Sequence, residues 1–129
     1  MKKIFMLFLT VMFLAACGQT DGKEREAVYV NITAEEAREI MDAQDGYIIL
    51  DVRTQAEYDE GHIPGAILIP NTEIEMRAEE ELPDKDQLIL VYCRSGNRSK
   101  KAAQILVELG YSNIKEFGGI IDWPYEVEQ

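Results

Sequence analysis

The chain of 129 residues carries 13 Lys plus Arg against 24 Asp plus Glu, with one His, two Cys and a net charge of −11. That length holds one ordinary domain, and 47% hydrophobic residues with four prolines exclude a disordered or fibrous chain. The acidity excludes broad nucleic-acid binding, because no basic face neutralises phosphates; two Cys and one His make neither a disulfide-dense scaffold nor a four-thiolate zinc site.

Lys2 and Lys3 precede an uncharged run over residues 4–16. As a helix that run reaches about 20 Å, short of a hydrocarbon core of ~30 Å. A basic start, a short apolar run and small residues at its end predict a secretory leader over residues 1–16. The run closes on Leu14-Ala15-Ala16-Cys17, which resembles the bacterial lipobox. That resemblance implies lipidation of Cys17, with palmitate among the acyl chains, and a lipid anchor on the extracytoplasmic face of the cell membrane. An ordinary leader that happens to stop at a Cys is the plainer alternative. Removing the leader takes two lysines and no acid, so the net charge goes from −11 to −13. Residues 18–27 (GQTDGKEREA) hold no core-forming residue and, with the lipidated Cys17, predict a polar tether of up to ~35 Å. The folded domain is expected over residues 28–129.

Thr33 and Glu36 fit a capping box, so a helix is predicted over residues 34–43, with Ala37, Ile40 and Met41 on its apolar face. After Gly46 the continuous apolar run at 47–52 fits a strand buried on both faces, as in a parallel sheet. Thr54 and Glu57 form a second capping box, opening a short helix that stops before Gly61. Residues 66–69 predict a strand and 73–80 an acidic helix. Residues 88–92 (LILVY) are the strongest buried strand in the chain, followed by a helix over 99–109 with Gly110 just past its end. A short strand at 114–117 and a helix after Gly119 complete the pattern. Alternating strands and helices make the class α/β, three-layered, with a mostly parallel sheet flanked by helices.

The chemistry concentrates at residues 93–99, Cys-Arg-Ser-Gly-Asn-Arg-Ser. This loop follows a buried strand and precedes a helix, at the carboxyl end of a sheet where α/β proteins bind ligands. Gly96 and Asn97 tolerate φ > 0, so successive N–H groups can turn inward as a nest, backed by a helix N-terminus. A thiolate at Cys93 would be stabilised by that nest and by Arg94 and Arg98. Residues 87–107 contain no acid and four cations, Arg94, Arg98, Lys100 and Lys101. An anion-binding role is expected for at least one of the two arginines; Lys100 and Lys101 either add to that field or only solvate a helix face. Asp51 and Arg53 are expected to organise neighbouring loops by hydrogen bonding rather than to react. Trp123 is expected in the core. His62, in a Gly-His-Ile-Pro-Gly turn, is read as structural, although a Cys–His nucleophile pair is conceivable.

Asp51-Val52-Arg53, Glu57-Tyr58, residues 61–66 (GHIPGA), residues 91–99 (VYCRSGNRS) and Gly118-Gly119 with Trp123 together resemble the single-domain rhodanese family. The resemblance spans about residues 28–127. It implies a rhodanese-like fold and a sulfurtransferase. In such an enzyme the cysteine takes a sulfane sulfur from a small anion such as thiosulfate, holds it as a persulfide and passes it to a thiophilic acceptor. It places Cys93 at the catalytic cysteine and Arg94, Ser95, Gly96, Asn97, Arg98 and Ser99 around the transferred sulfur. It implies no metal, no organic cofactor and no histidine base; the acidity already argues against a nucleic-acid partner, and a monomer is expected. Dual-specificity phosphatases look like rhodaneses but separate Cys and Arg by five residues; here four stand between Cys93 and Arg98, and the smaller loop suits one sulfur atom. A catalytically silent rhodanese-like binding module, tethered at the membrane, is the alternative outside enzymology. A redox role lacks a resolving thiol, since lipidation consumes Cys17.

Overall fold

The computed structural model describes residues 28–129. The expected leader, the lipidation at Cys17 and the tether all lie outside the described residues. Five strands run in parallel in the order β1-β5-β4-β2-β3: β1 Val30–Asn31, β2 Ile48–Asp51, β3 Ile67–Leu68, β4 Ile89–Cys93 and β5 Ile114–Gly119. The helices are α1 Ala34–Ala43, α2 Gln55–Glu60, α3 Ile74–Glu81 and α4 Asn97–Glu108.

β4 occupies the middle of the sheet and every one of its residues is buried. Alternation along it feeds two cores. Ile89, Val91 and Cys93 face the layer of α3 and α4, with Ala78, Ala102, Ala103 and Leu106. Leu88, Leu90 and Tyr92 face the opposite layer, with Ala37 of α1, Phe117 and Trp123. Both faces of β4 are thus covered, which is why its sequence is a continuous apolar run. The same alternation directs the Cys93 side chain toward α4.

Both capping boxes form. Thr33 Oγ1 accepts from the Glu36 N–H and Thr54 Oγ1 from the Glu57 N–H. At the far end of α4, the Gly110 N–H reaches the Val107 carbonyl and the Tyr111 N–H the Leu106 carbonyl, with Gly110 at φ 96°. This is the paired closure that a left-handed glycine allows.

Three expectations change. No helix follows Gly119; a single 3-10 turn, Ile120–Asp122, gives way to an extended tail. Pro124 stops a helix there, because it offers no N–H and holds Trp123 extended, at φ −82° and ψ 109°. The tail instead bridges back to the 61–66 turn through reciprocal His62–Glu128 backbone hydrogen bonds of 2.8 Å. β1 had no counterpart in the sequence pattern: two exposed residues pair with Lys115 and Glu116 at the sheet edge. Finally, α4 begins at Asn97 rather than Ser99, and Asn97 does not take positive φ; among the described residues only glycines do.

Candidate active site

The 93–99 loop is closed by its own sulfur. Gly96 sits at φ 103° as the N-cap of α4, a left-handed conformation that glycine adopts without a Cβ clash. That turn aims the Gly96 N–H at Cys93 Sγ, 3.0 Å away. Because Asn97 and Arg98 belong to the first turn of α4, the segment between strand and helix is only residues 94–96. The N–H groups of the first helical turn have no partner within the helix, so they point toward the sulfur end of the loop.

Cys93 is 1% exposed. Burial pushes its thiol pKa up, but the Ser99 hydroxyl and the N–H groups of Ser99, Gly96 and Ser95 outweigh burial and hold it below the ordinary thiol range. Charge-assisted hydrogen bonds to the ionised form are the physical cause.

Arg94 and Arg98 separate in role. The Arg98 guanidinium makes a two-pronged pair with Glu57 of α2, at 2.7 and 2.9 Å. Its charge is therefore shared with a carboxylate rather than free in the loop. That pair holds the Glu57 carboxyl down at about 2, further aided by Thr54 and opposed by partial burial. Arg94 is exposed and joins none of the described ion pairs. Arg98 thus fastens α2 to the start of α4, and Arg94 is left facing solvent. Ser95 and Asn97 are exposed, and Ser99 is fully buried.

Close approach of β5 shapes the loop from below. Gly119 lies at an ordinary φ of −129°, yet a Cβ there would overlap the Arg94 carbonyl and the Ser95 nitrogen. The Ile121 N–H donates to the same Arg94 carbonyl at 3.2 Å. Glycine is required here for space.

Asp51 and Arg53 do organise loops. Arg53 Nη2 reaches the buried Asp51 Oδ2 at 2.7 Å and the partly buried Gly61 carbonyl at 2.7 Å. The Tyr92 hydroxyl donates to Asp51 Oδ2 at 2.7 Å and accepts from the Ile63 N–H at 3.1 Å. Burial, with the nearby Asp51 charge, pushes the Tyr92 phenol far above its ordinary range, so it remains a donor. His62 stacks on Tyr58 with ring centroids 3.8 Å apart, and its nitrogens meet the Tyr58 carbonyl and Glu128. Among the described hydrogen bonds none joins His62 to Cys93, so no Cys–His pair forms there. Trp123 is core. A cavity of about 170 Å³ lined by Arg38, Tyr47, Ile63 and Trp123 includes no residue of the 93–99 loop. Among the described residues no cluster of His, Cys, Asp and Glu could hold a metal ion.

One residue beside the sulfur was missed. Glu116 of β5 is 2% exposed and places Oε1 at 2.6 Å from Ser99 Oγ. The signal was present: counting by two from the buried Ile114 puts Glu116 on the inward face of its strand. Glu57 reads from the sequence as a cap and as part of the Glu57-Tyr58 motif, but nothing local announces its pairing with a side chain 41 residues away.

The geometry has counterparts. Residues 33–124 match the rhodanese-like domain family. Over 73 residues the chain is 40% identical to the thiosulfate sulfurtransferase PspE of Escherichia coli, covering 57% of this chain and 70% of that one. It is 35% identical over 97 residues to the thiosulfate sulfurtransferase GlpE of Coxiella burnetii, covering 74% and 88%. A solved structure of a rhodanese with anions from E. coli superposes with a TM-score of 0.61 at 35% identity, covering 64% of this chain and 98% of that one. With Cys93 at the end of a central parallel strand and residues 94–99, a short loop and the first helical turn, gathered round its sulfur, the chain belongs to the rhodanese-like domain family.

Proposed function

We propose that this protein is a sulfurtransferase that carries a sulfane sulfur on Cys93, taking it from thiosulfate or a similar small anion and giving it to a thiophilic acceptor. The observation that carries this reading is the seat of Cys93 Sγ, which faces the Gly96 N–H at 3.0 Å and the Ser99 hydroxyl at 3.3 Å. That seat favours the thiolate, which is both the attacking group and the later leaving group.

In the first half, a lone pair of the Cys93 thiolate attacks the outer sulfur of the donor. The donor's sulfur–sulfur bond breaks and its electron pair leaves with sulfite. The inward N–H groups and the exposed Arg94 offset repulsion between the two anions. In the second half, the acceptor attacks the outer sulfur of the Cys93 persulfide, and the thiolate is released. Arg94, Ser95, Gly96, Asn97 and Ser99 surround the transferred sulfur, and Arg98 keeps the helix start in place against Glu57. Relatives named thiosulfate sulfurtransferase support the chemistry at the level of the family.

The leader and Cys17 support a further proposal about place: the domain hangs by a lipidated cysteine from the extracytoplasmic face of the cell membrane, as a monomer on a polar tether. Steady-state assay with thiosulfate and cyanide tests the activity. Thiocyanate formation that disappears in Cys93→Ser supports the enzyme. No turnover, and no sulfur on Cys93 with any sulfane donor, would instead make the domain a silent binding module.

A further inference from the structure

The hydroxyl of Ser99 has one proton and too many acceptors. Within reach are Glu116 Oε1 at 2.6 Å, the Gly96 carbonyl at 3.0 Å and the Gly118 carbonyl at 3.4 Å, while the Cys93 thiol at 3.3 Å is itself a donor to Oγ. The shortest contact lies in the range of an O–H donor to an ionised carboxylate. With its proton on Glu116, Ser99 presents a lone pair to sulfur, and the Cys93 thiol donates to it. A continuous line of hydrogen bonds therefore runs from Sγ through Oγ to Oε1.

Glu116 is an unusual terminus for such a line. It is 2% exposed, and no Arg or Lys pairs with it among the described ion pairs and hydrogen bonds. Its other described side-chain partner is the Gly118 N–H at 2.8 Å. The groups that face the pair are few. From β4 comes Cys93 itself; from α4 come Ser99 and Arg98, whose charge acts on Cys93 but is shared with Glu57 of α2; from β1 Asn31 lies opposite Glu116 in the sheet; and Arg94 stands exposed at the loop. Two anions one hydroxyl apart in such a site repel strongly.

We propose that Cys93 and Glu116 share one proton through Ser99, with Glu116 as the internal site to which the buried thiol's proton moves. As the thiol proton passes from Sγ to Oγ, the hydroxyl proton passes from Oγ to Oε1. The products are a Cys93 thiolate, a neutral Glu116 and an intact Ser99 hydroxyl whose proton now points at sulfur. No proton leaves the site and charge is conserved. Glu116 acts through Ser99, so it is a positioning residue. The inference rests on the sulfurtransferase reading for its purpose, since a thiol covered by a bound donor needs an internal place for its proton.

A shared proton has a distinct signature, because the two losses belong to the pair and not to either residue. The full chain is alkylated with iodoacetamide across pH, and the rate at Cys93 is followed by mass spectrometry. The expected wild-type profile rises in two steps with a plateau between them. Glu116→Gln, which keeps the shape and cannot take the proton, is expected to rise in one step and to react about twofold or more faster across the plateau interval. Infrared difference spectra of the wild type, which stand even if the variant fails to fold, should show a protonated carboxyl band in the plateau. A single wild-type step without that band overturns the proposal, as does a two-step profile that persists in Glu116→Gln. A parallel incubation with thiosulfate or polysulfide reports sulfur loading separately; absence of loading sinks the sulfurtransferase reading and leaves the alkylation profile to decide the shared proton.

Discussion

Ser99 stands where three demands meet: it is buried in the first turn of α4, bonded to Cys93 and bonded to Glu116. Its hydroxyl is one of the groups that hold the Cys93 thiol below its ordinary range. Ser99→Ala removes that hydrogen bond to a charged sulfur, an interaction of about 1.5–3 kcal/mol. The expected result is an upward shift of the first alkylation step of Cys93 by about one unit or more, read by the same rate-against-pH measurement. The strand-end cysteine and its loop were legible in the residue types alone, since few patterns place Gly between a strand-end Cys and a basic helix start. The direction of Arg98 was not, because a guanidinium can turn to a bound anion or to a carboxylate elsewhere in the fold. Glu57, supplied by another helix, decides that choice.

Between elements, two contacts fix the loop. The first is the Arg98–Glu57 pair joining α4 to α2, with side chains 31% and 26% exposed. Glu57 has its carboxyl pKa depressed to about 2 from 4.5. Its stabilisation is therefore full above pH ~4.5 and is lost as pH falls through about 2. Glu57→Gln should lower stability by about 1 kcal/mol at neutral pH, allowing for solvent screening. Denaturant titrations should show that difference shrinking as the pH approaches 2. The second contact is the approach of β5 to residues 94–95. Gly119→Ala forces a Cβ into the Arg94–Ser95 backbone, so the loop must move although φ at this position suits any residue. Displacement of about 1 Å at a reacting centre can cost ~100-fold in rate. Thiocyanate production is expected to fall by that order, while circular dichroism still reports a folded domain.

Across the whole molecule, the parts that read clearly from the sequence were those with redundant signals. The β2 and β4 runs are apolar on both faces because helices cover both sides of the sheet. Capping boxes marked α1 and α2 to within a residue. β1 and the tail were hidden for a common reason: each is held by contacts distant in sequence, β1 by β5 and the tail by His62. Two exposed strand residues carry no period, and Pro124 stops the helix expected after Gly119. The proposed anchor makes its own prediction. Cys17→Ser should abolish palmitate labelling and shift the protein out of the membrane fraction, because two acyl chains at ~0.8 kcal/mol per buried CH₂ supply the attachment. Alkylation of Cys93 should proceed as in the wild type.

The central claim is that sulfur rests covalently on Cys93 between donor and acceptor. Intact-mass spectrometry after thiosulfate treatment tests it most directly. The expected spectrum shows a gain of about 32 Da, one sulfur atom, localised to Cys93, lost on addition of cyanide with release of thiocyanate and never formed in Cys93→Ser. An unmodified Cys93 with every sulfane donor tried, or thiocyanate formation that survives Cys93→Ser, would contradict it.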